Sequence, residues 1–408
     1  MYKKLYFFFP FKGIGGVPIV FLDVAEKIAQ ITQYDVFIID YKDGYMNSNL
    51  SEEKVKKIFY SPHEKITFDE SSVVIFQSLP LWMIPESLRF NSRTKIIFWN
   101  LHPYNLTSYL LKFDKFHISF LKSFIIRFLK NFLMKSEVRT LELFDNHHSI
   151  AFMDGENLRQ SSLLKKITNH LLIPIATSNP SRMSDGNKKA AVIRCVWIGR
   201  IVDFKYHILL YTLQRLDSYS IEHSVQIKFY IVGTGDHLPL LSKLAQKLSI
   251  EICFVDHIPQ AEFPLFLDNI DIGFAMGKSA LDIAKHNVPT ILLDYSYKKI
   301  KKDYNYRWLY EISDYNLGEE VNSALFIKGN SSLEDMMFSL SNPTESDHGI
   351  YCMDFVLNNF NIDVVASRFV HFINRSSLYY CMIPNELHSI PFMLKTLGGH
   401  KAFQEHDA

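Results

Sequence analysis

The stretches VWIGR (residues 196–200), YIVGTGD (230–236) and GFAMGKSALD (273–282) share one order: an apolar run, a glycine turn and the start of a helical pattern. Apolar runs that alternate with helical segments are typical of parallel sheets whose strands are joined by helices. Around these stretches we predict strands at 191–197, 227–232, 250–255, 270–275 and 290–293, and helices at 206–216, 238–248, 263–268 and 279–286. Residues 191–350 are therefore predicted to form a Rossmann-like, doubly wound domain.

The N-terminal half shows the same alternation more weakly. We predict a glycine loop between a strand at 5–9 and a helix at 18–30, and further strands at 36–40, 73–76, 96–99 and 150–153. Residues 1–175 are thus a second predicted Rossmann-like domain, and 176–190, rich in Pro, Ser, Asn and Gly, are a predicted linker. The expected fold class is α/β, with two doubly wound parallel-sheet domains facing a central cleft. In residues 351–408 we predict one helix, 354–373, and a tail packing back toward the N-terminal domain.

Composition limits the possible classes of function. The 408 residues are 48% hydrophobic and 21% charged, which is typical of a well-packed globular protein. The formal net charge of +1 gives no support for a nucleic-acid partner. The four cysteines are scattered, and we predict buried free thiols rather than zinc ligands. Because we find no signal-peptide pattern and no apolar stretch of transmembrane length, we expect a cytoplasmic protein.

Two cations and two glycines follow the first strands of the C-terminal half. Arg200 ends the first strand motif, and Lys205 lies at the start of the next helix. Arg offers a planar fork of donors and Lys a compact charge, so the pair is suited to bind a diphosphate. Gly233 and Gly235 form the turn after the second strand. Solvated surface charges are the alternative interpretation of the two cations.

A third glycine turn precedes the helix predicted at 279–286. Gly277 lies in the turn, and Ser279 is predicted to cap the helix. The first amides of that helix, together with Lys278, would stabilise a developing phosphate charge. Asp282, one turn further, can accept hydrogen bonds from ribose hydroxyls. Each motif is weak alone, but three at successive strand ends of one sheet are a much stronger indication of a binding site for a diphosphate.

The N-terminal half contributes two further candidates. Gly13, Gly15 and Gly16 lie between a strand and a helix, where glycine lets the backbone approach a ligand and the helix N-terminus favours anions. They do not match G-x-G-x-x-G, because position 18 is Pro18, and a tight turn without a ligand is the alternative. His102 follows a predicted strand, and its ring can donate or accept a hydrogen bond. A capping or packed histidine is the alternative there.

The C-terminal motifs resemble a known family. Three stretches resemble the donor-binding domain of glycosyltransferase family 4, namely VWIGRIVDFK, YIVGTGDHLPLLSKLA and DIGFAMGKSALDIAKHNVPTILLD. A fourth stretch, YRWLYEISDYNLG (306–318), is similar to one bacterial branch of that family. The resemblance implies the GT-B architecture and a transfer that retains the anomeric configuration. It implies that Arg200 and Lys205 bind the donor diphosphate and that Asp282 replaces the second of two family glutamates. It also implies that His102 hydrogen-bonds the donor sugar or the acceptor hydroxyl. The first of those glutamates falls on Phe274, where this chain lacks a carboxylate.

Residues 109–135 predict a basic amphipathic helix. Such a helix, rich in Phe on its other faces, is typical of contact with a membrane surface, and a core helix with a solvated lysine face is the alternative. The cations that share one face of this helix are Lys112, Lys115, Lys122, Arg127 and Lys130.

These features predict the metal-independent transfer of a sugar from a nucleoside diphosphate sugar to a glycan or lipid-linked acceptor, in the synthesis of a surface polysaccharide such as lipopolysaccharide. The predicted catalytic residues are Arg200, Lys205 and His102. No cofactor is expected besides the nucleotide-sugar co-substrate, and no metal, because no Asp-x-Asp motif lies in a suitable context. Two alternatives stay open. A GT-B-fold sugar-nucleotide epimerase would need carboxylates in the cleft, and a non-catalytic sugar-nucleotide-binding or scaffold protein is suggested by Phe274.

Overall fold

The computed structural model describes residues 3–13, 15–102, 105–106, 134–180, 192–300, 304–321, 323–324, 326–341 and 347–388. The chain divides into two compact units, which we call unit 1 (Met1–Ala176 with Ile362–Ala408) and unit 2 (Thr177–Asn361). The amphipathic helix predicted at 109–135 lies outside the described residues except for its last two positions, which belong to helical residues 134–146.

Unit 1 is built on parallel strands. These are β1 Lys4–Phe8, β2 Asp35–Asp40, β3 Val55–Phe59, β4 Ile66–Phe68, β5 Ser72–Gln77, β6 Leu88–Phe90, β7 Lys95–Asn100, β8 Ile150–Phe152 and β9 Leu171–Leu172. Seven of them form a sheet in the order β3-β2-β1-β5-β7-β8-β9, and β4 pairs with β6. Each neighbouring pair is parallel. The five strands predicted from the sequence are all present, and four short ones were missed.

Unit 2 contains a six-stranded sheet. Its strands are β10 Val192–Ile198, β11 Gln226–Val232, β12 Glu251–Val255, β13 Ile272–Ala275, β14 Thr290–Leu292 and β15 Arg307–Trp308. The order is β12-β11-β10-β13-β14-β15, and only the last pair of these strands is antiparallel. The reversal of order at β10 is the doubly wound topology predicted from the sequence.

The helices connect these strands and cover the sheets. They are α1 Gly16–Ile31, α2 Tyr45–Asn49, α3 Gly155–Ser162, α4 Asp203–His223, α5 Leu238–Ala245, α6 Phe263–Leu267, α7 Lys278–Ala284, α8 Leu333–Ser341, α9 His348–Asn359, α10 Ile362–Arg375 and α11 Asn385–His388. Single 3-10 turns lie at Leu81–Met83, Leu309–Glu311 and Tyr380–Met382.

Aromatic side chains fill much of the core of unit 1. On one face of the sheet, Phe21 of α1 stacks on Trp99 of β7 with ring centroids 5.8 Å apart. Phe369 of α10 meets the same Trp99 edge-on at 5.0 Å. Helix α10, near the end of the described residues, is therefore part of the same core as α1.

The core of unit 2 lies between its sheet and α4. Trp197 and Phe229 are fully buried in it, together with apolar residues of α4. At the antiparallel edge, the guanidinium of Arg307 forms a buried ion pair with Asp294 and donates to the carbonyl of Ile327 at 2.7 Å. This pair fixes the start of the segment 306–318 that was noted in the sequence.

The single helix predicted at 354–373 is wrong, because the chain forms α9 and α10 with a break between them. The carbonyl of Phe360 accepts a hydrogen bond from the N–H of Thr177 at 2.8 Å, so it is turned away from a continuing helix. Asn361 bridges to Thr177 in a short parallel contact. The break is also the point at which the chain leaves unit 2.

The prediction of four buried thiols is only half right. Cys195 and Cys352 are buried, but Cys253 is half-buried and Cys381 is exposed. Cys253 lies on β12 at the edge of its sheet, where fewer neighbours cover it. In the part of the chain that the structure describes, no helix is long and apolar enough to cross a membrane.

Candidate functional site

The carboxyl ends of β10, β11, β12 and β13 meet at one edge of the unit 2 sheet. This edge is where α/β sheets bind their ligands, because the loops and helix N-termini that follow the strands converge there. The residues predicted from the C-terminal motifs all lie in the segments after these strands.

Two glycine turns at this edge pack backbone against backbone. The N–H of Gly199 donates to the carbonyl of Val232 at 2.9 Å. A Cβ at Gly233 would lie 2.2 Å from the carbonyl oxygen of Gly199, and one at Gly235 would lie 2.3 Å from that of Ile201. Both glycines also have positive φ angles, +140° and +154°. Their first role is thus to bring two strand ends together, which is necessary before any ligand binds.

Arg200 and Lys205 lie beside these turns. The ammonium of Lys205 is 5.8 Å from the ring centroids of Trp197 and of Phe204, so it is flanked by two aromatic rings. Burial, and secondly the positive charge of Arg200, lower the pKa of Lys205 to about 8. Within the described ranges neither cation forms a salt bridge, and Arg200 is exposed. Two neighbouring cations without a carboxylate partner are suited to an anion with two negative groups.

The helix α7 begins one residue earlier than predicted. Gly277 is its N-terminal cap with a φ of +61°, and no side chain caps it, so the capping role predicted for Ser279 is wrong. The N–H of Gly277 donates to the carbonyl of Leu317 at 2.7 Å and is therefore not available to a phosphate. Lys278 opens the helix, and its ammonium lies 3.4 Å from Oδ1 of Asp282.

Phe274 belongs to the core rather than to the edge. It lies within β13, is fully buried, and packs against Phe229 with ring centroids 5.8 Å apart. Only Met276 and Gly277 separate β13 from α7. Phe274, which the resemblance matches to the first family glutamate, therefore lies inside the sheet. The two-residue connection to α7 offers few other positions for a carboxylate.

In unit 1, the loop after β1 is held by a buried acid. Asp40, the last residue of β2, accepts backbone N–H bonds from Phe11 at 2.7 Å and from Tyr41 and Met46 at 2.8 Å. Burial raises the pKa of the Asp40 carboxyl, and these hydrogen bonds oppose the increase. A Cβ at Gly44 would collide with this carboxylate. This role of Asp40 was not predicted from the sequence.

The glycine loop itself is open at its far end. A Cβ at Gly13 would lie 3.0 Å from the ring of Phe11, whereas at Gly16, the first residue of α1, no atom would lie within 4 Å. Gly15 caps the helix without a side-chain hydrogen bond. His102 is exposed two residues after β7, and its N–H donates to the side chain of Asn100 at 3.2 Å.

The predicted residues thus form three groups. Arg200, Lys205, Gly233 and Gly235 lie together after β10 and β11, and Lys278 and Asp282 meet on α7. The glycine loop and His102 belong to unit 1. Lys285, whose ammonium lies 3.1 Å from Oδ1 of Asp282, was not predicted from the sequence. Lys285 caps the C-terminus of α7 three residues after Asp282, and this spacing is the signal that would have indicated it. Among the described residues, no three His, Cys, Asp or Glu side chains could hold a metal ion.

Comparisons with known proteins concern the fold. No family model matches the chain, and no curated protein sequence matches it. Solved structures do match over almost the whole length. The lipopolysaccharide outer core galactosyltransferase WaaB is 10% identical with a TM-score of 0.55, over 91% of this chain and 99% of that one. A glycosyltransferase from Rickettsia africae ESF-5 is 13% identical with a TM-score of 0.53, over 92% and 98%.

The chain has the GT-B fold. A trehalose-6-phosphate protein from E. coli, bound with UDP-2-fluoro glucose, shares it at 9% identity with a TM-score of 0.52, over 92% of this chain and all of that one. The predicted α/β class with two Rossmann-like domains is therefore confirmed. At these identities the likeness concerns the fold alone, and membership of family 4 stays a prediction.

Proposed function

We propose that this GT-B-fold protein is a glycosyltransferase that takes a sugar from a nucleoside diphosphate sugar. The observation that carries the proposal is the cation pair Arg200 and Lys205 at the carboxyl edge of the unit 2 sheet, next to the turn formed by Gly233 and Gly235. Further support comes from structures of the same fold, which include two glycosyltransferases and a protein bound with a UDP-sugar.

The proposed chemistry is electrostatic. As the bond between the sugar and the diphosphate breaks, negative charge grows on the leaving phosphate oxygens. Arg200 and Lys205, already placed and without competing carboxylates among the described residues, would stabilise this charge more strongly than that of the intact donor. Lys278, which is half-buried, would add a third cation. We further propose that the transfer retains the anomeric configuration, as the family resemblance implies.

Unit 1 would supply the acceptor side in this proposal. The loop of Gly13, Gly15 and Gly16, held by Asp40, and the exposed His102 are its candidate contacts. We propose a glycan or lipid-linked acceptor of a surface polysaccharide, because one of the matching structures is a lipopolysaccharide outer core galactosyltransferase. A lipid-linked acceptor would bring the enzyme to the inner face of the membrane, with residues 109–135 as the proposed contact.

A second candidate function is binding of a sugar nucleotide without transfer. The burial of Phe274 favours it, because the position matched to the first family glutamate carries no carboxylate and lies inside the sheet. In this case the cation pair would bind the diphosphate, and turnover would be absent.

One experiment separates the two functions. Wild-type protein is first screened against UDP- and GDP-sugars by thermal shift, and the release of nucleoside diphosphate is then measured with and without membrane extract. Release that depends on an acceptor supports the transferase, whereas binding without release supports the second candidate. Arg200→Ala and Lys205→Ala should each weaken UDP or GDP binding by about 1–3 kcal/mol, the usual scale for a charge-assisted contact.

The matched control for these variants is Lys243→Ala on α5, an exposed lysine away from the strand ends. Its affinity should equal that of the wild type. Unchanged affinity in the Arg200 and Lys205 variants, with the fold intact, would remove both residues from the donor site and with them the main support for the proposal.

A further inference from the structure

The side-chain contacts of Asp282 with other described residues fall on one of its two carboxylate oxygens. Oδ1 accepts a hydrogen bond from the hydroxyl of Thr177 at 3.1 Å, and it is the oxygen that faces both Lys278 and Lys285. In the described part of the chain, Oδ2 has no such partner, and the side chain is 27% exposed. One oxygen is therefore fixed by the protein, and the other is open to a ligand.

Lys285 is saturated by the protein. Besides Asp282, its ammonium lies 3.2 Å from the hydroxyl of Thr177 and 3.3 Å from that of Ser178. An ammonium has three N–H donors, and Lys285 has these three partners while its side chain is only 11% exposed. Lys285 thus has no donor left for a substrate. Lys278, at 39% exposure, is the lysine of the pair that a substrate can reach.

The hydroxyl partners are attached to fixed backbone. Thr177 is 1% exposed, and its N–H donates to the carbonyl of Phe360 at 2.8 Å. The ammonium of Lys285 consequently joins α7 to a segment that cannot easily move away from it. A carboxylate held in this way loses little rotational freedom when a ligand binds, which favours affinity.

We propose that Lys285 is a positioning residue that holds Oδ1 of Asp282 so that Oδ2 accepts a hydrogen bond from a ribose hydroxyl of the donor nucleotide. The inference rests on the proposed function. Charge supports it as well, because a lone carboxylate would repel the nearby diphosphate. The two lysines beside Asp282 give the cluster a net charge of one positive unit. Asp282 is shorter than glutamate by one methylene, and it reaches these partners from within α7.

The test compares ribose recognition rather than affinity alone. UDP and GDP, and their 2′-deoxy and 3′-deoxy forms, are titrated calorimetrically into wild type, Lys285→Met, Thr177→Val and the exposed control Lys243→Met. Wild type and control should bind the ribonucleotide about tenfold to a hundredfold more tightly than its 2′-deoxy or its 3′-deoxy form, which is the scale of one hydrogen bond to a charged group. In Lys285→Met this ratio of affinities should fall to about threefold or less. The ratio for Thr177→Val should lie between those of Lys285→Met and wild type.

A ratio is insensitive to the fraction of folded protein, so a merely destabilised variant would keep the wild-type value. If Lys285→Met does not fold, Thr177→Val decides, because it keeps the lysine and removes only a shared hydroxyl. A wild-type ratio in the folded variants, or no preference in the wild type, overturns the inference and leaves the proposed function standing. Failure of the wild type to bind either nucleoside diphosphate would instead remove the proposed function, and this inference with it.

Discussion

The two sheets of this chain share one winding but differ in the charge at their carboxyl edges. In unit 2, Arg200 and Lys205 follow β10, and within the described residues no carboxylate neutralises them. In unit 1, β2 ends in Asp40, a fully buried carboxylate that binds three backbone N–H groups. The cations at the unit 2 edge are available to a ligand, whereas the carboxylate at the unit 1 edge binds the backbone of its own loops. The same topology can thus serve binding in one unit and loop rigidity in the other.

The largest expected effect concerns the glycines of the two edges. Gly233→Ala should lower the free energy of unfolding by about 2–4 kcal/mol, because its Cβ would overlap the carbonyl of Gly199 at an unfavourable φ. Gly16→Ala, with no atom near its Cβ, should change stability by less than about 1 kcal/mol. Urea denaturation measures both. Similar losses in the two variants would show that the unit 2 turn is not specially close-packed.

The next prediction concerns Asp40 at the carboxyl edge of the unit 1 sheet. Asp40→Ala should destabilise unit 1 by about 2–3 kcal/mol, because three backbone N–H groups lose their acceptor in a buried site. The matched control is Asp43→Ala, an exposed carboxylate of the same loop that pairs with Lys12 at the surface. It should have a much smaller effect. Hydrogen exchange of the amides of Phe11 and Met46 would locate the change, and unaltered exchange would argue against the holding role of Asp40.

A smaller effect concerns how nucleotide affinity at the unit 2 edge depends on pH. Burial and Arg200 lower the pKa of Lys205 to about 8, so this lysine loses its charge as the pH rises through that value, earlier than an ordinary lysine. Affinity for UDP or GDP should therefore be highest below pH 8 and about tenfold weaker at pH 9. Lys205→Arg, which stays charged, should show no such decline. A wild-type affinity that is constant from pH 7 to pH 9 would contradict the role of Lys205.

The smallest expected effect is that of metal removal. If Arg200 and Lys205 neutralise the diphosphate, EDTA should leave transfer activity nearly unchanged. Activity that is lost on chelation and restored by magnesium or manganese would mean that the two cations do not suffice.

The parts of the fold that were predictable are those with a local signal. The strands β10, β11 and β13 were predicted because their apolar runs end in glycine turns, and at Gly233 and Gly235 close backbone contacts require glycine. The two-residue strand β15 was not predicted. The partners of Asp282 were not predictable, because Thr177 is 105 residues away in sequence. The break between α9 and α10 was missed for the same reason, since the carbonyl of Phe360 at the break accepts a hydrogen bond from the N–H of distant Thr177. The edge strand β3 was missed because Lys56 and Lys57 interrupt its apolar pattern.

The place of α10 in unit 1 has a consequence for how the chain is made. Ile362–Arg375 supplies Phe369 to the core around Trp99, yet it is translated only after the whole of unit 2. Unit 2 is one uninterrupted segment and can complete its core while the ribosome is still working. Unit 1 emerges first and is finished last, with the apolar side of α1 uncovered in the meantime. We expect a chain stopped after Ala176 to need a chaperone or to aggregate, even though it contains every strand of its sheet.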